Sequence, residues 1–300
     1  MTQNKSWGLA GALFSVMIWS STYISTKILV LSFSPLQISF IRFSIGLAVM
    51  VLLAPPKRAA FEWRGELPFL GAGFLGMFLY YFLENMAAKH TYAANVSVIV
   101  TSIPLITSLL APLFYKEDRF RLRYLVSFVL TMTGFVLILS QSGAKAGVSA
   151  LGDLLALAAA VVFSLYTLLL RKVDGSLSPF LVTRKSLQYG WIFIGGLTFG
   201  TGQVPELARV IRPEYLGHFL FLGVVASGFC FISWTVAVNS LGPVRSSQFI
   251  YLVPLITVTL SALILGETFG LLHLAGLFLI FGAVVFSQID FSRRKELCTI

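Results

Sequence analysis

Charge is scarce in this chain: only 11% of its 300 residues are Asp, Glu, Lys or Arg, and only twelve are acidic. Soluble domains carry about 25% charged residues, so a soluble enzyme, a disordered regulator and a fibrous protein are all excluded. Cysteine is nearly absent. Cys230 in an apolar run and Cys298 near the end of the sequence make neither a disulfide framework nor a metal site. The three histidines, His90, His218 and His273, are far apart and form no HxxxH or HExxH spacing. There is no Walker A sequence and no polar stretch long enough for an aqueous domain. These absences lead us to expect no cofactor, no bound metal and no enzymatic activity.

What is abundant is apolar surface, with 57% hydrophobic residues and a mean hydropathy of +0.88. A bilayer core takes roughly 20 apolar residues per helical span. Ten such stretches can be read, at about 7–31, 35–54, 67–88, 93–115, 122–141, 150–170, 178–200, 214–239, 244–265 and 270–289. The first is too long for a signal-peptide core and has no small-residue cleavage site, so it reads as an uncleaved span. A net charge of +10 would suggest nucleic-acid binding in a soluble chain. Here the basic residues sit in short clusters between spans, so no nucleic-acid partner is expected. With the N-terminus inside, fourteen Lys and Arg fall in inner segments. Only Lys89, Lys145, Arg209 and Arg212 fall outside. The positive-inside rule then predicts a multi-pass protein of the cytoplasmic membrane with both termini cytoplasmic.

The halves of the sequence repeat. A shift of 144 residues places Gly8 on Gly152, Ala12 on Ala156, Ser20 on Ser164 and Ser34-Pro35 on Ser178-Pro179. A shift of 150 places Pro104-Leu-Ile-Thr107 on Pro254-Leu-Ile-Thr257 and Ala87 on Ala237. Five spans therefore repeat as five spans, and an odd number inverts the second half. The expectation is an all-α integral membrane protein of ten transmembrane helices in two inverted five-helix repeats, residues 1–141 and 150–290, followed by a basic cytoplasmic tail, 291–300. Inverted repeats about a midplane site are the architecture of secondary transporters.

Trp19-Ser-Ser-Thr-Tyr23 running to Lys27, Pro35 and Arg42-Phe43 resembles the opening of an EamA domain, and Ala87–Ala94, Pro104 and Gly134 resemble its continuation. The second half, with Ala237-Val-Asn-Ser-Leu-Gly-Pro243, Pro254, Leu265-Gly-Glu267 and Gly282, is the cleaner match. The first half departs at Tyr115-Lys-Glu117, where the family has Leu-Gly-Glu. The resemblance, to two EamA units of the drug/metabolite transporter superfamily, implies an inner-membrane carrier that exports amino acids or related metabolites.

Ionisable groups within spans mark function or buried pairs. Glu84 lies five residues inside Lys89, about 7 Å deep, and Arg42 seven residues past Pro35, about 10 Å deep. Three readings are open for them: an ion pair that gates one side, separate partners, or a direct substrate or proton role for Glu84. Lys27 falls near an interface, where snorkelling accounts for it. Arg184 and Lys185 point about 100° apart, so one of them can face the interior. Aromatic and hydroxyl side chains gather at midspan: Trp19, Ser20, Thr22, Tyr80, Tyr81, Thr101, Tyr166, Trp234, Gln248 and Tyr251. An apolar cavity with a few polar groups is built from such residues, although simple packing accounts for any one of them. Pro104 and Pro254 each remove a backbone hydrogen bond and predict a kink in equivalent spans. Gly71-Ala-Gly-Phe-Leu-Gly76 spells the dinucleotide fingerprint, but within an apolar span it reads as close helix packing.

The sequence thus favours a secondary transporter of a small amphipathic metabolite. Its partners would be that solute, the bilayer and either a coupling proton or a counter-substrate. A lipid or lipid-linked sugar flippase of the same superfamily is the alternative. A membrane enzyme lacks convergent catalytic groups, and a receptor lacks a signalling domain. Substrate, direction and oligomeric state are not legible.

Overall fold

The computed structural model of the chain describes residues 5–56, 63–90, 96, 99–116, 118–141, 150–173, 175–256 and 271–289, and among these every regular element is helical. In chain order they are α1 (Lys5–Leu29), α2 (Pro35–Leu53), α3 (Trp63–Ala72), α4 (Tyr80–His90), α5 (Ile103–Phe114), α6 (Leu122–Gln141) and α7 (Ala150–Leu170). There follow α8 (Pro179–Gly200), the short α9 (Leu207–Val210), α10 (Pro213–Leu220), α11 (Cys230–Leu241), α12 (Pro243–Ser247) and α13 (Leu271–Gln288). Four stretches are long and apolar enough to cross a membrane: Pro35–Leu53, Trp63–Ala87, Ala150–Leu170 and Pro213–Leu241. Shorter apolar helices accompany them. The expected residues 257–265 of the ninth span, Glu117, Glu267, the tail 291–300 and the side chain of Lys27 lie outside the described residues.

Local chemistry sets the helix starts. Ser34 caps α2 through a reciprocal pair with Gln37, and Pro35 takes the first turn, where its missing N–H is harmless. Ser178-Pro179 opens α8 in the same way, without the side-chain cap. Gly242, at φ +84°, ends α11 in a conformation that suits only glycine, and Pro243 begins the next turn.

The packing is apolar outward. Leu31, Leu52, Leu113, Leu271 and Phe278 are all more than three-quarters exposed, as suits a protein solvated by hydrocarbon. Inside, hydroxyls return their protons to their own helix: Ser164 to the Ala160 carbonyl at 2.8 Å, Thr107 to Ile103 at 2.8 Å and Thr235 to Phe231 at 2.8 Å. A polar group in an apolar medium must find such a partner.

Helix pairs occur in matched sets. The third apolar stretch is interrupted by a π-helical segment, Gly73–Leu79, between α3 and α4, and the Pro213–Leu241 stretch by another, Phe221–Phe229, between α10 and α11. The first packs on α8 and the second on α2. In the first crossing, a methyl built on Gly73 would lie 2.6 Å from the Ser186 carbonyl oxygen and 2.7 Å from the Gly190 nitrogen. In the second, one on Gly46 would lie 3.0 Å from the Gly223 carbonyl oxygen. Gly46 and Gly190 are 144 residues apart, and Gly73 and Gly223 are 150 apart, the two repeat shifts of the sequence. The fingerprint-like glycines are indeed packing residues: Gly71 faces Leu169 and Gly76 faces the Tyr166 ring.

The prolines behave differently from the expectation of two kinks. The fourth span breaks at Thr101-Ser102, and Pro104 sits in the first turn of the new helix α5. Pro254 follows a 3-10 turn, Gln248–Tyr251, near the start of a helix that begins at Leu252. A first-turn position leaves no N–H bond to lose, so both prolines restart a helix rather than bend one.

Gly73→Ala is expected to lower the thermal unfolding temperature of the detergent-purified protein, since overpacking costs about 1–3 kcal/mol. Gly196→Ala, whose methyl would meet nothing within 4 Å, is expected to raise it through helix propensity of up to about 1 kcal/mol. Equal shifts of the same sign would refute the crossing.

Candidate functional site

Trp19 stands at the centre of an aromatic cluster joined by four helical stretches. Its ring lies 5.2 Å from Trp234, 5.6 Å from Phe231 and 5.8 Å from Phe163. Phe163 in turn meets Tyr80 at 4.9 Å, Tyr166 at 5.5 Å and Trp234 at 6.0 Å. α1, α4, α7 and α11 therefore converge here, because α1 packs most extensively on α11 and α4 on α7. Of the sequence candidates, Trp19, Tyr80, Tyr81, Tyr166 and Trp234 come together. Phe163 and Phe231, which link them, were missed because an apolar phenylalanine in an apolar span carries no distinguishing signal.

Polar atoms in this region are left without protein partners. The indole N–H groups of Trp19 and Trp234, the Tyr251 hydroxyl and Gln248 Oε1 are buried with no hydrogen-bond partner among the described residues. Gln248 Nε2 reaches the Pro104 carbonyl at 3.5 Å, the long limit of such a bond, and so joins the 3-10 turn to the first turn of α5. Buried donors and acceptors are normally paired, so three unpaired donors and one unpaired acceptor, Gln248 Oε1, are exceptions to that rule. Ser20 and Thr22 differ from them, because their hydroxyls donate to the Val16 and Trp19 carbonyls at 2.7 Å each. Thr101 is buried at the break in the fourth span.

Of the three readings left open for Arg42 and Glu84, the arrangement is that of separate partners: no direct ion pair joins them. Arg42, 5% exposed, donates from Nε to Ser227 Oγ at 2.9 Å and from a terminal nitrogen toward the Tyr81 hydroxyl at 3.5 Å. Its guanidinium lies 4.6 Å from the Tyr81 ring centre and 5.4 Å from that of Phe43. Glu84 instead accepts from the Tyr80 hydroxyl at 2.8 Å. The reason is reach: two adjacent tyrosines, with rings 5.0 Å apart, stand between the charges and take one each.

Ser39 and Asn85 make the next rung between α2 and α4, with Asn85 Nδ2 donating to Ser39 Oγ at 3.2 Å. Beyond it opens a cavity of about 370 Å³ lined by Ser34, Ser39, Phe82, Asn85, Lys89 and Gln203, among others. The aromatic cluster itself lines neither this cavity nor a groove of about 430 Å³ between α2 and α8. The Ser39–Asn85 bond, a neutral one worth about 1 kcal/mol net, lies in the wall of this cavity.

At the opposite end the charges are paired. Lys185 bonds Glu66, which also accepts from the Tyr189 hydroxyl at 3.0 Å. Arg171 meets Asp118 at 2.6 Å while covering the Tyr115 ring at 4.3 Å. Of the adjacent pair 184–185, Arg184 is the buried one, and its Nε has no partner among the described residues. Glu66 as the lysine's partner was overlooked, since it lies just outside the expected span.

Apolar helices wrapped around an aromatic interior, with buried indole N–H groups that have no partner among the described residues, mark a multi-pass membrane protein. The chain belongs to the EamA-like transporter family, whose model matches residues 6–140 and 150–288. Among its relatives, the uncharacterized transporter YvbV of Bacillus subtilis is 25% identical over 89% of this chain and 87% of its own length. A probable terminal-alkyne amino-acid exporter of Streptantibioticus cattleyicolor is 25% identical over 96% of this chain and 95% of its own. A crystal structure superposes with a TM-score of 0.75 over 95% of this chain and 98% of that one, at 21% identity, which is a likeness of fold.

Phe163 touches four aromatic neighbours, so Phe163→Ala is expected to destabilise the purified protein strongly, by about 3–5 kcal/mol, with Phe163→Leu much milder. Matching thermal unfolding curves for the two variants would remove Phe163 from the hub.

Proposed function

We propose that this chain is a secondary transporter that carries a small amphipathic metabolite, an amino acid or related compound, across the cytoplasmic membrane by alternating access, as an exporter or exchanger. In this reading ten spans form two inverted five-helix halves, residues 1–141 and 150–290, with both termini cytoplasmic. The observation that carries it is the pair of buried indole N–H groups on Trp19 and Trp234, one from each half of the chain, whose rings lie 5.2 Å apart and which have no hydrogen-bond partner among the described residues. The paired glycine crossings, the two π segments and the breaks before Pro104 and Pro254 support the inverted arrangement, since discontinuous helices at a repeat interface are where such carriers hold their solutes. The amino-acid class is supported by the name of the Streptantibioticus relative.

A flippase would exploit the lateral groove lined by Ser44, Leu47, Ala48, Val51, Leu52 and Trp191. Its polar atoms are already engaged, with Trp191 Nε1 donating to Ser44 Oγ at 2.7 Å. That suits an acyl chain lying on the surface better than a headgroup passing through.

In proteoliposomes preloaded with amino acids, counterflow uptake of at least one labelled amino acid is expected. Trp19→Ala and Tyr251→Ala should each reduce it tenfold or more while leaving the protein folded. Movement of fluorescent phospholipid without amino-acid counterflow would overturn the reading in favour of the flippase.

A further inference from the structure

We propose that Arg42 and Glu84 are the two poles of a site for a zwitterionic solute, the carboxylate resting on the Arg42 guanidinium and the ammonium on Glu84. This rests on the transporter reading above and names the chemistry of its substrate. A guanidinium offers five N–H donors, yet Arg42 makes only the bonds to Ser227 and Tyr81 among the described residues, and no carboxylate lies within ion-pair distance of it. Glu84 receives the Tyr80 hydroxyl on one oxygen and has no cationic partner among the described residues. The carboxylates at the other end, Glu66 and Asp118, are matched with Lys185 and Arg171. Opposite charges on neighbouring helices are thus kept apart, each held by a tyrosine of the same adjacent pair.

Separated opposite charges in an apolar interior suit a ligand that carries both. A zwitterion neutralises each pole and adds no net charge to the membrane interior, whereas a simple acid or amine leaves one pole unmatched. The 370 Å³ cavity lies on the same side: Ser39 and Asn85 line it, Ser39 one helical turn from Arg42 and Asn85 one turn from Tyr81 and next to Glu84. The apolar and aromatic walls at Phe43, Tyr80, Tyr81 and Phe163 favour an amino acid with an apolar or aromatic side chain. Arg184 is also buried, but among the described residues it has no carboxylate partner.

The test is ligand-dependent thermal stabilisation of the full-length detergent-purified protein. The probes are L-leucine and L-phenylalanine, their amides, and the deaminated acids 4-methylpentanoate and 3-phenylpropanoate. The wild-type protein is expected to bind at least one amino acid tenfold or more tightly than its amide and its deaminated acid. Arg42→Gln should erase the preference over the amide alone, and Glu84→Gln the preference over the deaminated acid alone. If Arg42→Gln does not fold, Arg42→Lys keeps the charge and should weaken only the first preference. Amino-acid binding whose preferences survive both variants overturns the two-pole site and leaves the transporter reading standing. Equal binding of an analogue and its amino acid by the wild-type protein overturns zwitterion recognition. Absence of binding by either amino acid overturns the inference, and the counterflow assay then decides separately whether the transporter reading also falls.

Discussion

Two backbone-to-backbone crossings position everything else in the interior. At Gly73–Gly190 and Gly46–Gly223 the helices approach so closely that a side chain on either partner would collide with main chain or a neighbouring helix. Each crossing runs through a π-helical segment, and a π turn admits one extra residue, shifting the side-chain register beyond it by about 100°. That shift is what separates packing from function along one helix. At its start, Gly73 lies against α8; beyond it, Tyr80 meets the aromatic cluster and Tyr81 meets Arg42. In the companion segment, Gly223 lies against α2 while Ser227, one turn on, accepts the hydrogen bond from Arg42.

The apolar interior sets a second rule, that a buried donor is costly unless it finds a hydrogen-bond partner. Most hydroxyls comply by bonding the carbonyl one turn back, which removes Ser20 and Thr22 from the pool of free donors. Large side chains with a fixed polar tip cannot do this. The indoles of Trp19 and Trp234 and the phenol of Tyr251 reach past their own helix and end unpartnered in the interior. In the proposed site the long aromatic residues are therefore the ones left to contact a solute, while small hydroxyls such as Ser20 and Thr22 serve the backbone.

Much of this was legible in the sequence. Hydropathy alone reveals an all-helical membrane protein, and the motif order from Trp19 to Gly282 identified the family. The convergence of Trp19, Tyr80, Tyr81, Tyr166 and Trp234 was readable because aromatic residues at midspan are unusual. Other features were not. Phe163 and Phe231 carry no polar mark, and π segments leave no trace in a hydrophobic pattern, since glycine and leucine read alike in either helix. An Arg42–Glu84 pair was one reading left open by matched depth, but depth says nothing of rotation about the helix axis. Two tyrosines inserted between the charges changed the outcome.

The two ends of the interior are closed by different chemistry. Between α2 and α4 the cavity-bearing end carries a neutral bond, Asn85 to Ser39, among apolar and aromatic side chains such as Phe78 and Phe82. The turn after α1 is held to α10 by apolar and neutral contacts: Phe33 against Phe219 at 5.1 Å and Ser32 with Tyr215 at 2.9 Å. The opposite end is shut by ion pairs with aromatic support, Glu66 with Lys185 and Asp118 with Arg171. Neutral bonds exchange readily for water, whereas parting a half-buried ion pair leaves two charges to be solvated at once. Movement at the first end therefore needs only hydration, while movement at the second needs a compensating charge or a concerted shift of α3 against α8. The Gly73–Gly190 crossing links those same two helices, so closure by charge and closure by backbone contact act on a single joint.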